Sequence, residues 1–166
     1  MYTNICKNIE CMNKIYNFYR FYKAEMMNRE VMIKMKTCQI DLKGQKDSIE
    51  LITEGKVYKK NRATYIVYEE SEISGMAGTT TTLKVLDNCI TMKRFGKNNS
   101  ELIFEKGKRF KTRYRTAHGD FSVEILTKSV DVEIKHDLTD IDININYDIN
   151  ISGLFEGKNI INIKIN

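Results

Sequence analysis

Two charged residues stand on faces that period-two patterning marks as apolar. Ile90, Met92 and Arg94 share one parity, and so do Ile66, Tyr68 and Glu70. Tyr147 interrupts a row of isoleucines, and Tyr114 follows Phe110 and Thr112. If these faces point inward, the interior holds an arginine, a carboxylate and several phenols. A guanidinium withdrawn from water needs a counter-charge, which Glu70 or Glu54 could supply. The chemistry open to such a set is ligand binding. Arg94 would orient an anionic or polar group against Glu70, while Tyr68, Tyr114 and Tyr147 would offer hydroxyl contacts and apolar walls. The competing reading is an internal network satisfied by itself, or a charge that reaches water on a long stem.

A second set is the basic run KGKRFKTRYRT, residues 106–116. On a strand, Arg109, Lys111, Arg113 and Arg115 fall on one face and Phe110, Thr112, Tyr114 and Thr116 on the other. Residues 93–115 hold nine Lys/Arg against two Asp/Glu, a local charge of +7 (9 − 2). Basic residues interleaved with aromatics can bind single-stranded nucleic acid. Here the aromatics lie away from the arginines and cannot share a groove with them. A solvated face, balanced in part by the net-acidic 118–166 region, is the simpler reading; an RNA- or protein-binding surface is the alternative.

The ladder IDININYDINIS, residues 141–152, suggests calcium, because Asp140, Asp142 and Asn144 have the one-three-five spacing of an EF-hand loop. The sixth and twelfth positions of such a loop, Gly and Glu, are Ile145 and Ile151 here. On a strand Asp142, Asn144, Asn146 and Asp148 point one way, about 7 Å apart, too wide to converge on an ion. The ladder therefore reads as a wet face, and neither metal nor cofactor is expected. His118 and His136 sit in no nucleophile or metal motif. GMAGTTTTLKV, residues 75–85, lacks the Gly-Lys-Ser/Thr core of a phosphate loop. A non-enzyme is expected, with an enzyme of unknown type around Glu70 and Arg94 as the third possibility. Cys6, Cys11, Cys38 and Cys89 are scattered, which favours reduced thiols.

The elements that must position these residues follow from hydrophobic period. Up to about residue 30, Ile5, Ile9, Met12, Ile15 or Tyr16, Tyr19, Tyr22 and Met26 recur at helical spacing, predicting a basic amphipathic extension over 1–30. A purine-rich, ribosome-binding-like stretch can encode 28–31, so translation is expected to start at Met32 or Met35, which would make the extension a start-site artefact. From about residue 32 the period is two. Strands are predicted at 32–42, 49–59, 63–73, 79–87, 89–95, 100–106, 108–117, 120–135, 139–151 and 159–165, joined by short turns. Phe121, Val123 and Ile125 share one parity and Val130, Val132 and Ile134 the other, so a β-bulge is predicted between Thr127 and Ser129. An all-β antiparallel barrel of about eight to ten strands over 31–166 follows, since closure removes exposed edges.

At 166 residues the chain suits one domain. No stretch approaches the roughly 18 apolar residues of a spanning helix, and Lys7, Glu10, Lys14, Arg20 and Lys23 break up any signal-like run, so a cytoplasmic location is expected. There is no Pro and no Trp, and Ile, Lys and Asn abound, as in an AT-rich genome. Residues 1–36 hold seven Lys/Arg against three Asp/Glu; residues 37–166 hold twenty against nineteen. The strand region is thus nearly neutral, unlike a typical nucleic-acid-binding domain.

Taken together, YIVYEESEISGMAGTTTTLKV, MKRFG, LIFEKGKR, YRTAHGDFSVEILTKSVDVEI and INYDINISG resemble a YwiB-like bacterial domain-of-unknown-function family. The resemblance runs from about residue 33 to the C-terminus and includes Tyr114-x-Thr116-x-x-Gly119 and Thr127. It implies a calycin-like β-barrel, related in shape to lipocalins and fatty-acid-binding proteins. By analogy with those folds it also implies a small-molecule ligand in the lumen or mouth. It offers no catalytic residue to carry over.

Overall fold

The computed structural model describes residues 28–116, 119–135 and 137–166. The helix expected over 1–30 falls, up to residue 27, outside these residues, as do both histidines. Residues 29 and 30 are not helical. They already pair with Val57 and Lys56 as the start of the first strand.

Ten strands follow: β1 (Arg29–Asp41), β2 (Lys46–Lys60), β3 (Ala63–Glu69), β4 (Thr79–Leu86), β5 (Cys89–Gly96), β6 (Ser100–Glu105), β7 (Arg109–Thr116), β8 (Gly119–Ile134), β9 (Ile141–Ile151) and β10 (Phe155–Ile165). They form one antiparallel sheet in the order β6-β5-β4-β3-β2-β1-β10-β9-β8-β7. Chain neighbours are sheet neighbours except at β1–β10, which joins the two halves, and at β6–β7, where the sheet curls back on itself. There a single bridge, Asn99 to Arg115, nearly closes the barrel.

Alternation sets the inside and the outside. On β9, Ile141, Ile143 and Ile145 are buried, and they face Ile165, Ile163 and Ile161 of β10. Each such side chain contributes about 1.5–3 kcal/mol by leaving water. The Asp/Asn ladder between them lies on the outer wall, where Asn144 bonds Asp142 at 2.8 Å and Lys128 pairs with Asp148 at 2.8 Å. The predicted bulge is present. Thr127 pairs with Tyr147 and Ser129 with Asn146, so Lys128 is the extra residue that switches the inward parity of β8.

Two features prepare the cavity end. β3 was expected to run to residue 73 but stops at Glu69. The Ser71 hydroxyl accepts from the Ile73 amide at 3.3 Å and opens a short 3-10 turn, Glu72–Ser74, which ends on Gly75 at a φ of 71°. Beyond the strand, Glu70 is still held to the sheet by its own amide, which donates to the Thr79 carbonyl at 2.8 Å. At the opposite end the barrel is plugged by Leu138, fully buried in the β8–β9 connection.

Candidate functional site

The antiparallel register sets inward residues of successive strands opposite one another. Gly55 of β2 faces Tyr68 of β3, Tyr68 faces Thr81 of β4, Thr81 faces Arg94 of β5, and Arg94 faces Ser100 of β6. This rung starts at a glycine because the walls are close. A Cβ at Gly55 would sit 2.7 Å from the Val67 carbonyl and 3.3 Å from the Tyr68 Cβ.

Arg94 and Glu70 meet inside, as their parity required. Arg94 Nε lies 3.6 Å from Glu70 Oε1, and their side chains are 17% and 2% exposed. The same carboxylate oxygen accepts from Thr81 Oγ1 at 2.6 Å. At 3.6 Å the arginine is an ion-pair partner but not a hydrogen-bond donor, so its Nε is buried without a partner. Glu54 is exposed on β2 and takes no part. The Tyr68 hydroxyl, 3.8 Å from Met35 Sδ, has its pKa pushed well above the usual phenol range by burial and then by the charge of Glu70.

A second polar rung crosses the other half of the wall. Gln39 of β1 faces Asn159 of β10, which faces Tyr147 of β9, which faces Thr127 of β8. Asn159 Nδ2 donates to the Tyr147 hydroxyl at 3.1 Å. That hydroxyl, too, is held above its usual pKa by burial. The Tyr147 ring tilts by 56° against Phe104, with centroids 4.9 Å apart.

Between the rungs, toward the end that carries the β1–β2 and β3–β4 turns, lies a cavity of about 270 Å³. Glu70, Arg94, Ser100, Thr112, Tyr114, Tyr147 and Asn159 are on its polar side, and Leu51, Met92, Leu102, Val123, Ile149 and Ile161 on its apolar side. Arg94 Nε, Ser100 Oγ and Asn159 Oδ1 are buried side-chain atoms with no hydrogen-bond partner, and all three residues line this cavity. Of the five lumen residues expected from sequence, Arg94, Glu70, Tyr114 and Tyr147 line it. Tyr68 does not: it shares a rung with Arg94 and Ser100 but is buried in the core, with its hydroxyl directed at Met35 Sδ. Thr81, Ser100 and Asn159 were not anticipated, although parity carries the signal. Each alternates with buried apolar neighbours: Leu83, Leu102 and Ile161.

The basic face has a different fate. Arg109 and Lys111 both engage Glu124 of β8, with Lys111 Nζ 2.8 Å from Glu124 Oε2, and hold its carboxyl below the usual range. Arg115 pairs with Asp120 at 3.5 Å. Among the described residues Arg113 makes no ion pair. An open groove of about 540 Å³ on the outer wall includes Arg109 and Glu124 but none of the partnerless atoms. Among the described residues no three His, Cys, Asp or Glu side chains are grouped to hold a metal ion.

These features define the class: a nearly closed ten-stranded antiparallel barrel with a polar-and-apolar cavity at one end. The chain belongs to the family described as Domain of unknown function (DUF1934), which it matches over residues 33–163. The solved structure of the YwiB protein from Bacillus subtilis is similar in fold, with a TM-score of 0.75 and 21% identity over 87% of this chain and 95% of that one. No curated protein matches the chain significantly.

Proposed function

We propose that the barrel binds a small molecule with one polar or anionic end in this cavity, without catalysing a reaction. The three partnerless atoms around one space carry this reading. Leaving a buried polar atom without a partner costs about 1–3 kcal/mol, and a ligand that brings an acceptor to Arg94 and a polar group to Ser100 and Asn159 recovers that cost. The facing wall of Leu51, Met92, Leu102, Val123, Ile149 and Ile161 suits a short apolar body. The volume lies at the small end for ligand sites, which points to a compact molecule.

Binding rather than turnover fits the groups at hand. Burial pushes the Cys89 thiol upward in pKa, opposite to what an activated nucleophile needs. Cys38 and Cys89 are free thiols, which supports a reducing, cytoplasmic setting. Among the described residues no helix is long and apolar enough to cross a membrane. Nucleic-acid binding by β7 is the weaker reading, because Arg109, Lys111 and Arg115 already engage acids of β8.

Native mass spectrometry of the purified protein tests the proposal. A bound small molecule is expected, released on denaturation and lost in Arg94→Met. Absence of any bound species, together with a crystal structure in which side chains fill the cavity, overturns it.

A further inference from the structure

Building on that binding reading, we propose that the ligand enters sideways through the seam between β6 and β7, and that this seam selects anions.

The wall is weakest there. Every other adjacent pair of strands carries a ladder. β6 and β7 share only the reciprocal bonds of Asn99 and Arg115, at 3.3 and 3.2 Å. At the far end of the seam the turn residues Gly107 and Lys108 bond Thr127 of β8 instead. Between Glu101 and Arg113 no main-chain bond must break for the strands to part.

The wall is also thin there. Arg94, Ser100 and Thr112 line both the inner cavity and an open depression on the outside of the seam. A single layer of side chains therefore separates the lumen from water, and two of the three carry a partnerless atom, Arg94 Nε and Ser100 Oγ.

Finally, the outer rim is cationic. Lys93, Arg94, Arg113 and Arg115 line the depression against one acid, Glu101, a balance of +3 (4 − 1). Glu101 is taken by Lys93 at 3.1 Å, Arg94 by Glu70 and Arg115 by Asp120, so of the depression's four cations the exposed Arg113 alone makes no ion pair with a described residue. Among the described residues the cavity's lining at the barrel end, Thr37, Gln39, Ile49, Ser74 and Met76 beside the acid Glu70, carries no cation. Charge selection on the way in therefore falls to the seam. An anion drawn to Arg113 passes to Arg94, which lines both sides of the partition. Convergent charge of this kind raises association rates in a salt-dependent manner.

The test compares hexanoate with its neutral analogue hexanamide, using NMR line shapes to separate association from dissociation. Arg113→Glu is expected to slow hexanoate association about fivefold at low ionic strength and to leave hexanamide unchanged. Lys43→Glu, a matched charge reversal at the β1–β2 turn of the barrel end, is expected to have no such effect. Equal hexanoate kinetics in Arg113→Glu and wild type, or equal slowing by Lys43→Glu, overturns the seam while leaving binding in place. A wild-type protein that holds hexanamide but not hexanoate overturns anion selection. If neither probe binds and no ligand co-purifies, the binding reading falls as well.

Discussion

Arg94 Nε stands 3.6 Å from Glu70 Oε1 inside the barrel, and Thr81, on the strand between them, donates to the same oxygen at 2.6 Å. Two strands and the residue that follows a third thus converge on one buried charge. Breaking a buried pair leaves the survivor uncompensated, commonly at about 3–5 kcal/mol. Arg94→Met strands a carboxylate that is 2% exposed and is expected to cost about 3 kcal/mol. Glu70→Gln leaves a partly exposed guanidinium that water can reach, so about 2 kcal/mol is expected. Urea denaturation of both single variants and the double variant measures this, and the double should recover part of the loss. Strictly additive losses would show that the two groups do not interact.

The Thr81 bond has an outer counterpart. Thr80 Oγ1 donates to Glu69 Oε1 at 2.7 Å on the exposed face. The two bonds have the same chemistry and differ in access to water. Thr81→Val is expected to lose about 1.5–3 kcal/mol, and Thr80→Val within about 0.5 kcal/mol of zero. Comparable losses in the two would contradict the burial argument.

Alkaline stability should report Tyr68 and Tyr147. Both phenols hold their protons more tightly in the folded barrel than in the unfolded chain, because burial penalises the phenolate. Their contribution is complete below the unfolded value of about 10. Above it the unfolded chain releases protons that the folded one keeps, so stability falls as pH rises toward the folded values. Each tyrosine should lower the folding constant about tenfold per pH unit in that range. Urea midpoints across alkaline pH check this. Tyr68→Phe should flatten the decline, and a pH-independent midpoint would refute it.

Lys128 provides the most severe test of the architecture. It is the extra residue where β8 changes register against β9. Deleting it would turn either Val123, Ile125 and Thr127 or Val130, Val132 and Ile134 to the wrong side, since a one-residue slip reverses every side chain. Loss of the cooperative thermal transition is expected, whereas Lys128→Ala should retain it. A deletion variant that melts like wild type would disprove the bulge.

Much of this was legible one strand at a time. Period-two alternation marked ten strands, the conflict of parity in β8 located its bulge, and Arg94 and Glu70 betrayed themselves by sitting among apolar neighbours. The same test applied to Asn159 and Ser100 would have found them. Tyr68 shows its limit. Alternation says that a side chain points inward, but not which neighbours it packs against or what faces it.

Those facts are non-local. The run of alternating residues determined that this chain makes strands and which face of each is buried, because a strand's pleat is a local property of the backbone. Only the tertiary structure decided the rest: that β1 pairs with β10, that Gly55, Tyr68, Thr81, Arg94 and Ser100 share one rung, and that β6 and β7 meet at a single bridge. The physical reason is that register, closure and the cavity they enclose arise from pairings between distant segments, where hydrogen bonds and packing around the whole barrel must be satisfied together.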